Sequence, residues 1–108
     1  MSATDLLYID NTNNVWIDGL KNDISGTAIN DATCLIVEVL DADGVQVSGT
    51  TNISMTYKSA SDGDYYGKLP HTVSLTENAE YTVRVRATDT DDNVGEWRRT
   101  VRARYRNQ

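Results

Sequence analysis

The sequence predicts an all-β domain, an antiparallel sandwich of about seven strands in two sheets. Three observations carry this. Val, Ile and Thr supply 29 of the 108 residues, and branching at Cβ suits a pleated surface better than a helix. Gly, Asn, Asp and Ser break the chain at intervals of roughly 8 to 12 residues, the spacing of short antiparallel strands. No window keeps apolar residues at helical spacing over several turns. A parallel sheet would need helical crossovers, which no segment can supply, so two sheets packed face to face are expected.

The elements follow in order. Residues 5–9 read as a first short strand and Asn11 to Asn14 as a turn. Val15 and Ile17 alternate with Trp16 and Asp18 in a second strand. Residues 19–32 are loop-like, punctuated by Gly19, Gly26 and Asn30-Asp31. Thr33 to Leu40 is the most apolar run and reads as a central strand. In strict alternation Leu35, Val37 and Val39 take one face, and Cys34, Ile36, Glu38 and Leu40 the other. Asp41 to Gly44 closes it as a hairpin, with Val45 and Val47 in the return strand. Further strands are predicted near 52–58 and 64–69, with Pro70 at an exit. The clearest alternation comes last. Tyr81, Val83, Val85 and Ala87 face one way while Thr82, Arg84, Arg86 and Thr88 face the other. After the loop Asp89–Gly95, Trp97, Val101, Ala103 and Tyr105 repeat the pattern, with Arg98, Thr100, Arg102 and Arg104 opposite. Arg99 falls on the inward side, which predicts a bulge or a sheet end there. Residues 1–12 form an N-terminal segment, an arm or short strand, and 13–108 a single domain.

Residues 75–87, LTENAEYTVRVRA, resemble the stretch leading into strand F of fibronectin type III domains. The matching positions are Leu75, Tyr81, Val83, Val85 and Ala87. The resemblance implies a tyrosine corner, with the Tyr81 ring plugging the core edge and its hydroxyl bonding backbone upstream. The segment ATDTDDNVGEW is similar to the F–G loop of bacterial immunoglobulin-like repeats. Asp62 to Pro70 and Ala32 to Gly44 resemble a strand and a hairpin of transthyretin-like and bacterial surface sandwich modules. Together these resemblances cover about residues 32–104 and imply an immunoglobulin-like sandwich, with Tyr81, Leu75 and Trp97 as structural residues. The Thr33–Leu40 strand lacks the tryptophan usual in fibronectin modules, and Cys34, the lone cysteine, cannot form the immunoglobulin disulfide.

Composition excludes several functions. No apolar run is long enough for a membrane helix. The start MSATDLLYIDN has no basic, apolar leader, so synthesis in the cytoplasm without a signal peptide is expected. A single Cys and a single His preclude a cysteine or histidine metal cluster, and no cofactor is expected. No nucleophile–base pair is legible, and His71 follows Pro70 in a turn, so the chain reads as non-catalytic.

Charge is unevenly distributed. Residues 1–83 carry 12 acids and 3 lysines, net −9, whereas residues 84–108 carry 7 arginines and 4 acids, net +3. Arg84, Arg86, Arg98, Arg102 and Arg104 should form a stripe on the outer face of one sheet. Three readings compete. The arginines pair across strands with acids such as Glu38 or Glu96. Alternatively, the stripe docks a larger acidic assembly. Nucleic acid ranks last, because net −6 opposes binding a polyanion. A second copy of the chain is a further candidate partner.

Two other constellations have rival explanations. Tyr65 and Tyr66 are adjacent, so one faces away from the core; with Trp16 it could stack on a sugar, or all three could fill a core that has no phenylalanine. Asp89, Asp91, Asp92 and Asn93 gather oxygens suited to calcium, or simply cap a turn. In size and layout the chain resembles small immunoglobulin-like accessory proteins of tailed bacteriophages. That resemblance implies a decoration or tail-associated protein of a virion, and a carbohydrate- or cell-surface-binding module is the alternative.

Overall fold

The computed structural model describes residues 6–22 and 25–106. These contain eight strands and no helix: β1 (Leu6–Tyr8), β2 (Asn13–Ile17), β3 (Thr33–Leu40), β4 (Ile53–Ser54), β5 (Thr56–Tyr57), β6 (Tyr65–Leu69), β7 (Glu80–Thr88) and β8 (Val94–Arg104). They form a five-stranded sheet in the order β1-β8-β7-β3-β4 and a three-stranded sheet in the order β2-β6-β5. Between the sheets lies one core that includes Leu7, Ile36, Val39, Tyr65, Leu69, Val83, Val85 and Ala103. Gly67 marks a close approach. A Cβ there would sit 2.9 Å from Met55 Cγ and 3.0 Å from Ile36 Cδ1, on the facing sheet.

Strict alternation fails in β3. Its pairing with β7 shifts between Ile36 and Glu38, leaving Val37 as the extra residue of a bulge. Cys34 and Ile36 point inward before the bulge and Val39 after it. Glu38 is therefore turned outward, opposite Arg84.

The return strand through Val45 and Val47 does not form. Only a single bridge, Leu40 to Gln46, remains, and Val45 is exposed. The cause is local hydrogen bonding. Asp41 Oδ1 accepts from the amides of Asp43 and Val45 at 2.9 Å each. The buried Thr50 hydroxyl accepts from the Val39 amide (3.1 Å) and donates to the Val47 carbonyl (2.7 Å). A side chain thus takes a ladder position that the return strand would need.

The segment expected as one strand over 52–58 is two. β4 pairs with β3 in the larger sheet and β5 pairs with β6 in the smaller. The buried Met55 is the crossing point, its amide donating to Cys34 carbonyl at 2.9 Å.

The sandwich also contains one parallel pair, β1 with β8. This pair joins the first and last strands, so the whole domain serves as the crossover and no helix is needed. Leu7 and Ile9 enter the core, so residues 6–12 belong to the sandwich as a strand and turn. Residues 1–5 of the N-terminal segment lie outside the described residues. Buried Asn13 ties β1 to β2, accepting from the Tyr8 amide and donating to its carbonyl, each at 2.9 Å.

Arg99 does not mark a bulge. The β7–β8 register runs unbroken from Glu80↔Arg102 to Thr88↔Val94. The residue is tolerated inward because β1 covers β8 only at Arg102–Arg104. At Arg99 the strand is therefore a sheet margin among the described residues, where a long side chain can reach past the core.

Candidate interaction face

β7 and β8 alternate in phase, so their polar residues share the outer face of the larger sheet. Five arginines (84, 86, 98, 102 and 104) and three glutamates (38, 80 and 96) project from it, which gives this face a net charge of +2 on a chain of net −6. Arg84 is central. It donates to Glu96 Oε1 through Nε (3.0 Å) and Nη2 (2.6 Å), and through Nη1 to Glu38. Arg86 donates to Glu96 Oε2 at 3.0 Å, and Arg102 to Glu80 at 3.2 Å. These hydrogen bonds pull the Glu96 carboxyl below the usual carboxylate range, the Arg84 bonds most, and raise the Arg84 guanidinium further.

The stripe thus divides. Arg84, Arg86 and Arg102 hold acids of their own sheet. Arg98 and Arg104 are exposed and form no ion pair among the described residues. Arg98 lies directly opposite Arg84, a like-charge pair that weakens the sheet locally unless an acid offsets it. Arg106, which the sequence did not single out, stacks 4.3 Å over the Tyr8 ring and donates to Asn11 Oδ1 at 3.3 Å.

The aromatic constellation separates. Tyr65 is core: its hydroxyl donates to Ile29 carbonyl (2.6 Å) and accepts from the Ala32 amide (3.1 Å), so it is not available to stack on a sugar. Tyr66 and Trp16 are half-buried neighbours on the smaller sheet, ring centroids 5.2 Å apart, with Lys58 Nζ 5.8 Å over Trp16. Tyr81 is buried, and the Thr76 amide donates to its hydroxyl at 2.8 Å. Leu75 and Trp97 pack on the core from its rim.

The calcium constellation is a closed turn. Asp89 Oδ1 accepts from the amides of Asp91 and Asn93 at 2.9 Å each, and Oδ2 from Asn93 Nδ2 at 3.1 Å. The bonds from Asn93 are the main cause that lowers the Asp89 pKa. Asp91 and Asp92 are exposed, and no group of three or more His, Cys, Asp or Glu could hold a metal among the described residues. Cys34 is buried, and desolvation pushes its thiol up to about 11, which keeps it protonated and unreactive.

Sequence reasoning missed one feature. A groove of about 430 Å³ lies between Leu20–Asn22 and the start of β8, lined by the apolar Trp97, Ala87 and Leu20 and by the polar Lys21, Asp89 and Asn93. The signal was Gly95-x-Trp97: both lie on one strand face, and the indole covers Gly95 so closely that a Cβ there would meet it at 2.9 Å. Compared with known proteins, the chain matches no family model, no curated protein and no solved structure.

Proposed function

We propose that this chain is a non-catalytic, immunoglobulin-like interaction module that docks its arginine-bearing sheet onto a larger acidic protein assembly. The immunoglobulin-like reading is supported by β7 lying between β3 and β8 in one sheet, by the three-stranded sheet beneath, and by the hydroxyl of Tyr81 bonded to backbone five residues upstream. The docking reading is carried by one observation: on an acidic chain, the outer face of the larger sheet is net positive and keeps Arg98 and Arg104 without internal acids. Arginine forks suit carboxylates of a partner. The likeness in size and layout to accessory proteins of tailed bacteriophages suggests a virion as that assembly.

Retention on immobilised poly-glutamate at low salt tests this reading. The wild type is retained despite its net charge of −6. Arg98→Glu with Arg104→Glu elutes in the void, while Lys58→Glu, on the other sheet, stays retained. Equal retention of the double variant sinks the docking face.

A second reading, carbohydrate binding, is favoured by the Trp97 groove, which pairs an aromatic wall with amide and carboxylate groups. Titration with soluble polysaccharides while following tryptophan fluorescence tests it against Trp97→Ala.

A further inference from the structure

We propose that two copies of this chain associate through the β8 edges, antiparallel and in one register, with Trp97 at the twofold axis. The inference goes beyond the docking reading and rests on the open edge of β8 and the Glu96 and Arg98 side chains beside it.

The edge is long. β1 lies beside β8 only at Arg102–Arg104, and no other described strand borders Val94–Val101. Its polarity is fixed at its C-terminal end. Ala103 directs both its amide and its carbonyl to the β7 side, bonding Ala79 (3.0 Å) and Asn78 (2.8 Å), while Arg104 carbonyl faces β1 and accepts from Ile9 (2.8 Å). Because the register to β7 is unbroken, odd-numbered residues of β8 bond β7. The amides and carbonyls of Val94, Glu96, Arg98 and Thr100 therefore point to the open side.

A second copy must pair even residues with even residues, so few registers are possible. Centring the axis on Glu96 or on Arg98 opposes like charges, which is destabilising. Moving it toward the C-terminus collides with β1. Centring it on Trp97 places Val94 opposite Thr100 and Glu96 opposite Arg98, twice over, within the open stretch. Each Arg98 then meets the second copy's Glu96, the acid that it lacks in its own sheet. A carboxylate already bonded to Arg84 and Arg86 still has lone pairs for a third donor. The inward Arg99, which would obstruct general edge pairing, falls opposite the second copy's Gly95, over which the second copy's Trp97 indole lies, an aromatic face on which a guanidinium can stack. The two five-stranded sheets become one continuous sheet, and two positive outer faces combine.

Two measurements test this on the full chain. Light scattering on a sizing column at about 100 µM, a concentration suited to a small interface, should give a mass twice 12.0 kDa. Arg98→Glu should return the mass to that of one chain while still melting in a single cooperative transition. For the register, Val94→Cys and Thr100→Cys are made separately. Opposed Cα atoms in a hydrogen-bonded pair lie about 5.5 Å apart, within disulfide range. A mixture of the two variants should cross-link under mild oxidation, and neither should do so alone, since Cys34 is buried. A monomer at that concentration overturns the proposal, as does cross-linking of either variant by itself. Dimerisation that appears only after deletion of residues 2–5 also overturns it, because the edge then belongs to the chain's own N-terminus. None of these outcomes depends on retention by poly-glutamate.

Discussion

Replacing Tyr65 with Phe should lower the melting temperature by about 9 °C. The ring is 1% exposed in the core, and Phe fills the same space. What is lost is the hydroxyl and its two bonds, to Ile29 carbonyl at 2.6 Å and from the Ala32 amide at 3.1 Å. Each neutral hydrogen bond contributes about 1 kcal/mol net, so the cost is about 2 kcal/mol. A chain of this length unfolds with an entropy of about 0.23 kcal/mol/K, which converts that cost to about 9 °C. Calorimetry reads the shift. Hydrogen exchange should show faster amides around Ile29 to Ala32, because the hydroxyl is what ties that loop to β6. A shift under 2 °C, or a loop protected as before, would show that those bonds hold nothing and that the 20–32 loop is fixed otherwise. Burial also raises the Tyr65 pKa. The folded state keeps the proton longer than the unfolded chain does, so this stability is complete below about pH 10 and is lost as pH rises beyond it.

Gly63→Ala should cost about 1–3 kcal/mol in denaturant melts, because its φ of +83° is left-handed and a Cβ would lie 2.4 Å from Leu20 carbonyl oxygen; wild-type stability would contradict that contact. The Cys34 thiol, pushed up to about 11, should be about 0.1% thiolate at pH 8 and react with Ellman's reagent only on unfolding; rapid labelling of the native chain counts against its burial. Glu96→Gln frees Arg86, leaves Arg84 with Glu38 alone and raises the net charge of the face by one, so it should raise the salt needed for elution from poly-glutamate. The lowered carboxyls of Glu96 and Asp89 set an acid limb: their contribution is full above the unfolded carboxylate range near pH 4 and falls away as pH drops through the lower folded values. Acid melts of Glu96→Gln should show a shallower limb than wild type.

Much of the architecture was legible in the chain. The alternation of β7 and β8 placed the arginines on one face, and the Thr33–Leu40 strand has those ends in the structure. Pattern failed where a single residue acts against its neighbours. One extra residue at Val37 reverses the face of Glu38 and delivers it to Arg84. The Thr50 hydroxyl removes the return strand that the Asp-Gly hairpin signal predicts. Met55 carries the chain from one sheet to the other inside a segment that reads as one strand.

The primary structure by itself determined which residues favour pleated backbone, where they turn, and that every arginine lies in the last 25 residues. These are properties of neighbours along the chain, set by Cβ branching, turn chemistry and a period of two. Only the tertiary structure decided which cations meet an acid, that Tyr65 is a core anchor, that a groove opens beside Trp97, and that Val94–Val101 of β8 has no second neighbour among the described strands. Each depends on contacts between distant segments, and a local pattern carries no record of those.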